Sequence, residues 1–219
     1  MATAQAELDK FDAAFNSGHY PDYTRKLYLI ERCLHGVDVQ PIAVQIAKLR
    51  CFISLAVEQK ADDTRPNCGI TPLPNLETKL VAANTLTPLH RKGNVLLVTQ
   101  ELRGEQAKLR NANRAFFAAA NGADKRRVQK QILELRHKIA DLVKQDGIFS
   151  GDEAALLAHW DPFDPNSFAP FFDAEWMFGL EPSATEGWFD IALANPPYVR
   201  QEKIETFQIN GKPVVSKKQ

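Results

Sequence analysis

Basic and acidic side chains balance in this chain of 219 residues, 27 lysines and arginines against 27 aspartates and glutamates, which excludes a polybasic nucleic-acid coat and leaves only local charge asymmetry. The length supports one substantial core, or one domain with an appendage. The three cysteines, Cys33, Cys51 and Cys68, have no close pair and no histidines at metal spacing, so reduced thiols, no metal site and a cytoplasmic setting are expected.

No apolar run approaches membrane-spanning length, and the polar start from Met1 to Glu7 does not read as a signal peptide. Leu8, Phe11 and Phe15 stand at helical spacing, and Ser17 to Asp22 breaks any helix there. A second helix is predicted from about Tyr23 to Arg32, with Leu27 and Ile30 inward. The period then changes: Leu34, Val37 and Val39 around Gly36 predict a short strand ending in the acidic Asp38. Pro41 opens a helix predicted to Glu58, and its apolar positions Ile42, Val44, Ile46, Leu49, Phe52, Ile53 and Leu55 predict that it is well buried. In strand-acid-helix units of doubly wound folds, an acidic residue at this strand end accepts hydrogen bonds from ribose hydroxyls. Asp38 is placed for that role; the alternative is a cap two or three residues before the helix, and the two roles are compatible.

Residues 60–75, rich in proline and aspartate, read as a loop. Leu76 to Ala83 predicts a third strand, with Asn84 and Thr85 at its end. From about Val95 to Gln145 the apolar residues adopt a three-four spacing, interrupted at Asn121 to Asp124, which is the pattern of an antiparallel helical hairpin with one apolar seam. Its outer faces carry more base than acid. From Trp160 to Phe178 the chain is dense in aromatics and Asp-Pro turns, and these aromatics are expected to pack a crossing segment onto the sheet.

The most informative stretch is Trp188 to Tyr198. Ile191 to Ala194 is a continuous apolar run, as for a central strand covered on both faces, and Pro196 and Pro197 then forbid further ladder pairing. Asn195 and Tyr198 would thereby stand at the carboxyl end of a strand, where ligands of open α/β sheets bind. The chemistry suited to such a turn is methylation of a planar exocyclic amine. The Asn195 amide oxygen and the Pro196 carbonyl can accept its two N–H bonds and draw the nitrogen toward tetrahedral geometry, while Tyr198 stacks on the base.

Asn195-Pro196-Pro197-Tyr198 resembles the catalytic motif of adenine-specific DNA methyltransferases, in particular the module found in bifunctional, single-chain restriction-modification enzymes of the Type IIG kind. Tyr28 to Leu55 is similar to that family's second strand and following helix, and Phe189 to Glu202 to its catalytic strand and loop. The resemblance implies an α/β fold, a partial Rossmann-like, doubly wound methyltransferase domain with an inserted antiparallel helical hairpin. It divides the chain into a cofactor-side half at 1–94, the hairpin at 95–146, and an aromatic crossing segment with the catalytic strand at 147–219. It implies S-adenosylmethionine as cofactor, with Asp38 on the ribose, Val39 packed on the adenine, and Asn84 and Thr85 contacting that ring. Double-stranded DNA would be the substrate, read with the target adenine flipped out.

The sequence departs from that family in having no Gly-x-Gly, the signature of its cofactor loop, and nothing before Asp38 resembles one. The later strands and target-recognition domain that follow the family's catalytic motif are not matched either. A fragment covering the middle of the domain is therefore expected, inactive alone, with an exposed sheet edge that favours dimerisation. Two other readings remain: a metal-dependent nuclease using Glu77, Lys79 and a carboxylate from Asp22 or Asp38, and a non-catalytic DNA-binding scaffold built on the basic hairpin around Arg126 and Arg127.

Overall fold

The computed structural model describes residues 21–90, 99–180 and 188–195, with the backbone of Gln208–Ile209 and Lys212–Pro213. The expectations for Leu8 to Phe15, for Val95 and Val98, and for Pro196, Pro197 and Tyr198 lie outside the described residues. The chain divides into two units, 1–182 and 183–219.

Helix α1 (Pro21–Arg32) buries Tyr23 and Ile30. Its Lys26 ammonium donates to the Ser54 carbonyl at 3.4 Å and pairs with the Glu58 carboxylate, tying α1 to the end of the next helix. Strand β1 (Gly36–Asp38) follows, and pairs in parallel with β2 (Leu80–Ala82) in the register Gly36 to Leu80, Val37 to Val81 and Asp38 to Ala82. Gly36 permits this approach, because a Cβ there would lie 2.6 Å from the buried Leu80 Cδ2. Backbone bonds flank the register, Gly36 N–H to Lys79 O and Ala83 N–H to Asp38 O, both at 2.9 Å.

Helix α2 (Pro41–Ala56) starts with proline in its first turn, where the missing N–H costs nothing. Burial of this helix is narrower than its composition predicts. Val44, Lys48 and Leu55 face inward, whereas Ile42, Ile46, Leu49 and Ile53 are 53–65% exposed. Apolar residues occur on more than one face of the helix, and among the described residues only one face is covered. Strand β2 is also shorter than the predicted Leu76 to Ala83. Residues 77–79 form a turn in which the N–H groups of Lys79 and Leu80 both reach the Leu76 carbonyl at 3.0 Å, which withdraws them from any ladder.

Helices α3 (Gln100–Ala118) and α4 (Gly122–Gln145) are capped by Thr99 and Asn121, whose side chains accept the N–H groups of Leu102 and Asp124. They run in opposite directions, since Thr99 at the start of α3 donates to Asp146 beyond α4 at 3.0 Å and Lys138 donates to Glu105 at 2.7 Å. Their facing residues Leu102, Leu109, Ala112, Phe116, Val128, Ile132 and Ile139 form the centre of the larger core.

Arg136 of α4 is 1% exposed and donates to the Met177 carbonyl at 3.4 Å. Its guanidinium lies 4.6 Å from the Trp160 ring centroid and 5.5 Å from that of Trp176, where the ring quadrupoles offset part of the desolvation cost. The aromatic crossing segment is thus bolted to α4 by a cation. It also extends the sheet: Ala169 N–H reaches Ala82 O at 2.9 Å and Asn84 N–H reaches Ala169 O at 3.0 Å, a parallel bridge on the side of β2 away from β1. Helices α5 (Gly151–His159) and α6 (Ala174–Phe178) flank this segment.

In the second unit, residues 188–195 are irregular chain and not the buried central strand predicted from Ile191 to Ala194. Ile191 is 80% and Leu193 95% exposed. A central strand needs a neighbour on each edge and cover on each face, and apolarity supplies neither. Farther on, β3 (Gln208–Ile209) and β4 (Lys212–Pro213) pair antiparallel.

Helix α5 begins with a full capping box, in which Ser150 Oγ accepts the Glu153 N–H at 3.2 Å and the Glu153 carboxylate accepts the Ser150 N–H at 3.0 Å. Hydrogen bonds from Ser150, first its hydroxyl and then its N–H, and from the His90 N–H hold the Glu153 carboxyl down at about 2 against an ordinary 4.5. A depressed carboxylate contributes stability above its unfolded pKa and loses it as pH falls through the folded value. Glu153→Gln is therefore expected to lower the melting temperature at pH 7, and the gap from the parent protein closes as pH is taken from about 4.5 to about 2. A pH-independent gap in thermal melts contradicts this.

Candidate active site at the carboxyl ends of two parallel strands

Parallel pairing fixes which residues share an edge. Asp38 ends β1, and Asn84 lies two residues beyond the end of β2, so both come to the carboxyl edge of the sheet. Asp38 is exposed, and its Oδ1 accepts the Gln40 N–H at 2.8 Å. The helix cap itself is Gln40, which makes no side-chain capping bond, so Asp38 turns the chain into α2 without capping it. Its second carboxylate oxygen takes no hydrogen bond among the described residues. Val39, next in the chain, is 59% exposed, an apolar surface beside an available acceptor.

Asn84 is partly buried and uses its side chain locally. Nδ2 donates to Thr87 Oγ1 at 2.9 Å and Oδ1 accepts the Leu86 N–H at 3.1 Å, which shapes the turn after β2. Thr85 stands exposed at the tip of that turn. The structure therefore brings Asp38, Val39, Asn84 and Thr85 to one edge. Asn195 is exposed in the separate unit 183–219, on irregular chain instead of a strand end, because the preceding apolar run does not form the predicted strand. Its companions Pro196, Pro197 and Tyr198 lie outside the described residues.

Glu77 and Lys79, the pair that suggested a nuclease, do not converge on a shared site. Glu77 is ion-paired with Lys125 at 3.0 Å, and the Lys79 ammonium donates to His35 Nε2 at 3.1 Å. No group of three or more histidines, cysteines or acidic residues among the described residues is arranged to hold a metal. The basic face of α3 and α4 is laced with acid partners, as in Arg127 with Asp124, Lys130 with Glu134, and Lys108 and Lys138 with Glu105. That is the pattern of a solvated helix face. All three cysteines are free thiols, and no described helix is long and apolar enough to cross a membrane.

A second cluster, which the sequence did not reveal, lies at the opposite, amino-terminal ends of the same strands. A cleft of about 150 Å³ is lined, among the described residues, by Arg32, Lys79, Arg110 and Arg114, with Glu31 as its acidic member and Phe117 and Phe178 as its apolar wall. Burial first, and then the nearby Lys79 ammonium, lowers His35 to about 4, so the ring is neutral and Nε2 accepts from Lys79. Burial also pushes Lys79 down to about 8, opposed by the Glu31 carboxylate and reinforced by the Arg32 and Arg114 guanidinia. These residues come from four separated segments with no common spacing, so no sequence motif could have found them.

A parallel strand pair with an acid at its carboxyl end and helices packed around it is consistent with a methyltransferase-like α/β fold. The family model for Eco57I restriction-modification methylase matches residues 32–219, and the chain belongs to that family. It is thus of a restriction-modification methylase family, a class of DNA methyltransferases that act on DNA. Comparison with curated proteins and with solved structures found no match.

The backbone geometry predicts a contrast in hydrogen exchange at neutral pH. Amides of Val81, Ala83 and Asn84 are expected to be protected, and those of Ile191 to Ala194 to exchange orders of magnitude faster. Comparable protection of the two stretches contradicts the exposed, irregular path of 188–195.

Proposed function

We propose that this chain is part of an adenine-N6 DNA methyltransferase of a cytoplasmic, bifunctional Type IIG-like restriction-modification enzyme, using S-adenosylmethionine. The observation that carries this reading is the exposed Asp38 carboxylate at the end of β1, beside Val39 and across from Asn84 and Thr85, in a chain of the methylase family. The donor set fits the nucleoside end of the cofactor: a carboxylate oxygen for ribose hydroxyls, an exposed apolar side chain for the face of the ring, and polar groups at the neighbouring strand end for its edge. When bound, the cofactor supplies an electrophilic methyl group. Asn195 accepts an N–H of the flipped adenine through its amide oxygen, the Pro196 carbonyl accepts the other, and Tyr198 stacks on the base. Positioning suffices for this transfer, without a metal.

Among the described residues no comparable set stands for the methionine end of the cofactor, and no Gly-x-Gly occurs among the 219 residues. The chain alone is accordingly inactive. The outer edge of β1, unpaired among the described residues, would accept a further strand from a second copy or another polypeptide. The nuclease and scaffold readings are not favoured, because Glu77 serves as counter-ion to Lys125, and Lys108, Arg127 and Lys138 of the hairpin are paired with acids.

Transfer of tritiated methyl from S-adenosylmethionine to adenine-containing duplex DNA tests this proposal. The 219-residue chain is expected to show none. A longer polypeptide that adds a glycine-rich cofactor loop and a recognition domain is expected to yield N6-methyladenine, with Asn195→Ala reducing the rate by about a hundredfold or more. Methylation by the chain alone refutes the claimed inactivity, and full activity of the Asn195 variant refutes the catalytic assignment.

A further inference from the structure

We propose that the cleft at the amino-terminal ends of β1 and β2 binds a phosphate group, at a site separate from the cofactor edge. The separation follows from strand polarity. His35 and Lys79 immediately precede the register pair Gly36 and Leu80, whereas Asp38 and Ala82 form its far end. A ligand at one edge does not meet the side chains of the other.

Three observations converge on an anion. Lys79 and Arg114 line the cleft with Arg110 and with Arg32, which pairs at 3.8 Å with Glu31, the one carboxylate of the lining among the described residues. Asn113, 8% exposed and also in the lining, has neither Nδ2 nor Oδ1 in a hydrogen bond among the described residues. A buried amide left in that condition is destabilising, and an oxyanion supplies the acceptor its Nδ2 lacks. The cleft's volume of about 150 Å³ is below the ~300–1,000 Å³ of drug-sized sites, which is room for a phosphate group and not for a whole mononucleotide. Guanidinium groups match the paired oxygens of phosphate, with the Lys79 ammonium as a point charge beside them.

Gly179 closes the wall of this cleft. It holds the left-handed conformation (φ 68°) that ends α6, and a Cβ there would stand 3.0 Å from Arg110 Cγ. Glycine therefore lets the chain turn against α3 while keeping Arg110 in the lining.

The ligand's phosphate can come from a free nucleotide or from a DNA strand, and titration of the full chain distinguishes the sources. Pyrophosphate, adenosine monophosphate and a short duplex oligonucleotide are titrated calorimetrically into the protein and into Lys79→Ala, Arg114→Ala and, as a surface control on α4, Lys130→Ala. Saturable binding of pyrophosphate is expected, weakened about tenfold or more in Lys79→Ala and Arg114→Ala and unchanged in Lys130→Ala. Competition by adenosine monophosphate identifies a free nucleotide as the source, and competition by the duplex alone identifies a strand phosphate. Arg114 is exposed on the rim, so its variant tests the site without disturbing the core. Absence of saturable binding of all three probes at millimolar concentration, or binding unaltered in both cleft variants, overturns the proposal.

Discussion

Three parallel register pairs, Gly36 with Leu80, Val37 with Val81 and Asp38 with Ala82, decide where the chemically loaded residues of the first unit lie. Parallel pairing sends the two acid- and amide-bearing strand exits to one edge and the two basic strand entries to the other. Gly36 is the condition for that pairing, because any side chain would displace the buried Leu80. Continuity of the sheet on the far side of β2 depends on Ala169, whose N–H and carbonyl bridge Ala82 and Asn84. The turn that carries Asn84 and Thr85 is thus fixed from both ends.

Around this small sheet the helices supply most of the core. The seam of α3 and α4 buries Phe116 and Ile132 completely, and Arg136 carries the seam's rigidity into the aromatic segment through Trp160 and Trp176. Arginine is an unexpected choice at a position 1% exposed. Burial lowers its pKa to about 9, with the Asp161 carboxylate acting in the opposite direction. Two indole faces and one carbonyl are its described partners, and they join α4 to segments more than 20 residues away in sequence.

Local signals were legible where local chemistry settles structure. Pro41 at the start of α2, the break between α3 and α4 at Asn121 and the strand-ending Asp38 all lie where turn chemistry places them, whereas the Thr99 cap was not foreseen. Signals failed where the outcome depends on what lies alongside. The apolar face of α2 bearing Ile42, Ile46, Leu49 and Ile53 reads as core, yet it is open to solvent among the described residues. Ile191 to Ala194 has the composition of a central strand but no hydrogen-bonded neighbour strand among the described residues. Asp38 and Asn84 could be anticipated from strand ends, but the Arg32, Lys79, Asn113 and Arg114 cleft could not, because only tertiary packing collects it.

The central claim is that Asp38 holds the nucleoside end of S-adenosylmethionine at the carboxyl edge of this sheet. Calorimetric titration of the full chain with S-adenosylmethionine, alongside Asp38→Ala, tests it most directly. The account predicts saturable binding in the parent chain that is lost in the variant, with both proteins giving the same circular dichroism. Equal affinity in the two proteins, or no binding heat in the parent chain, would contradict it.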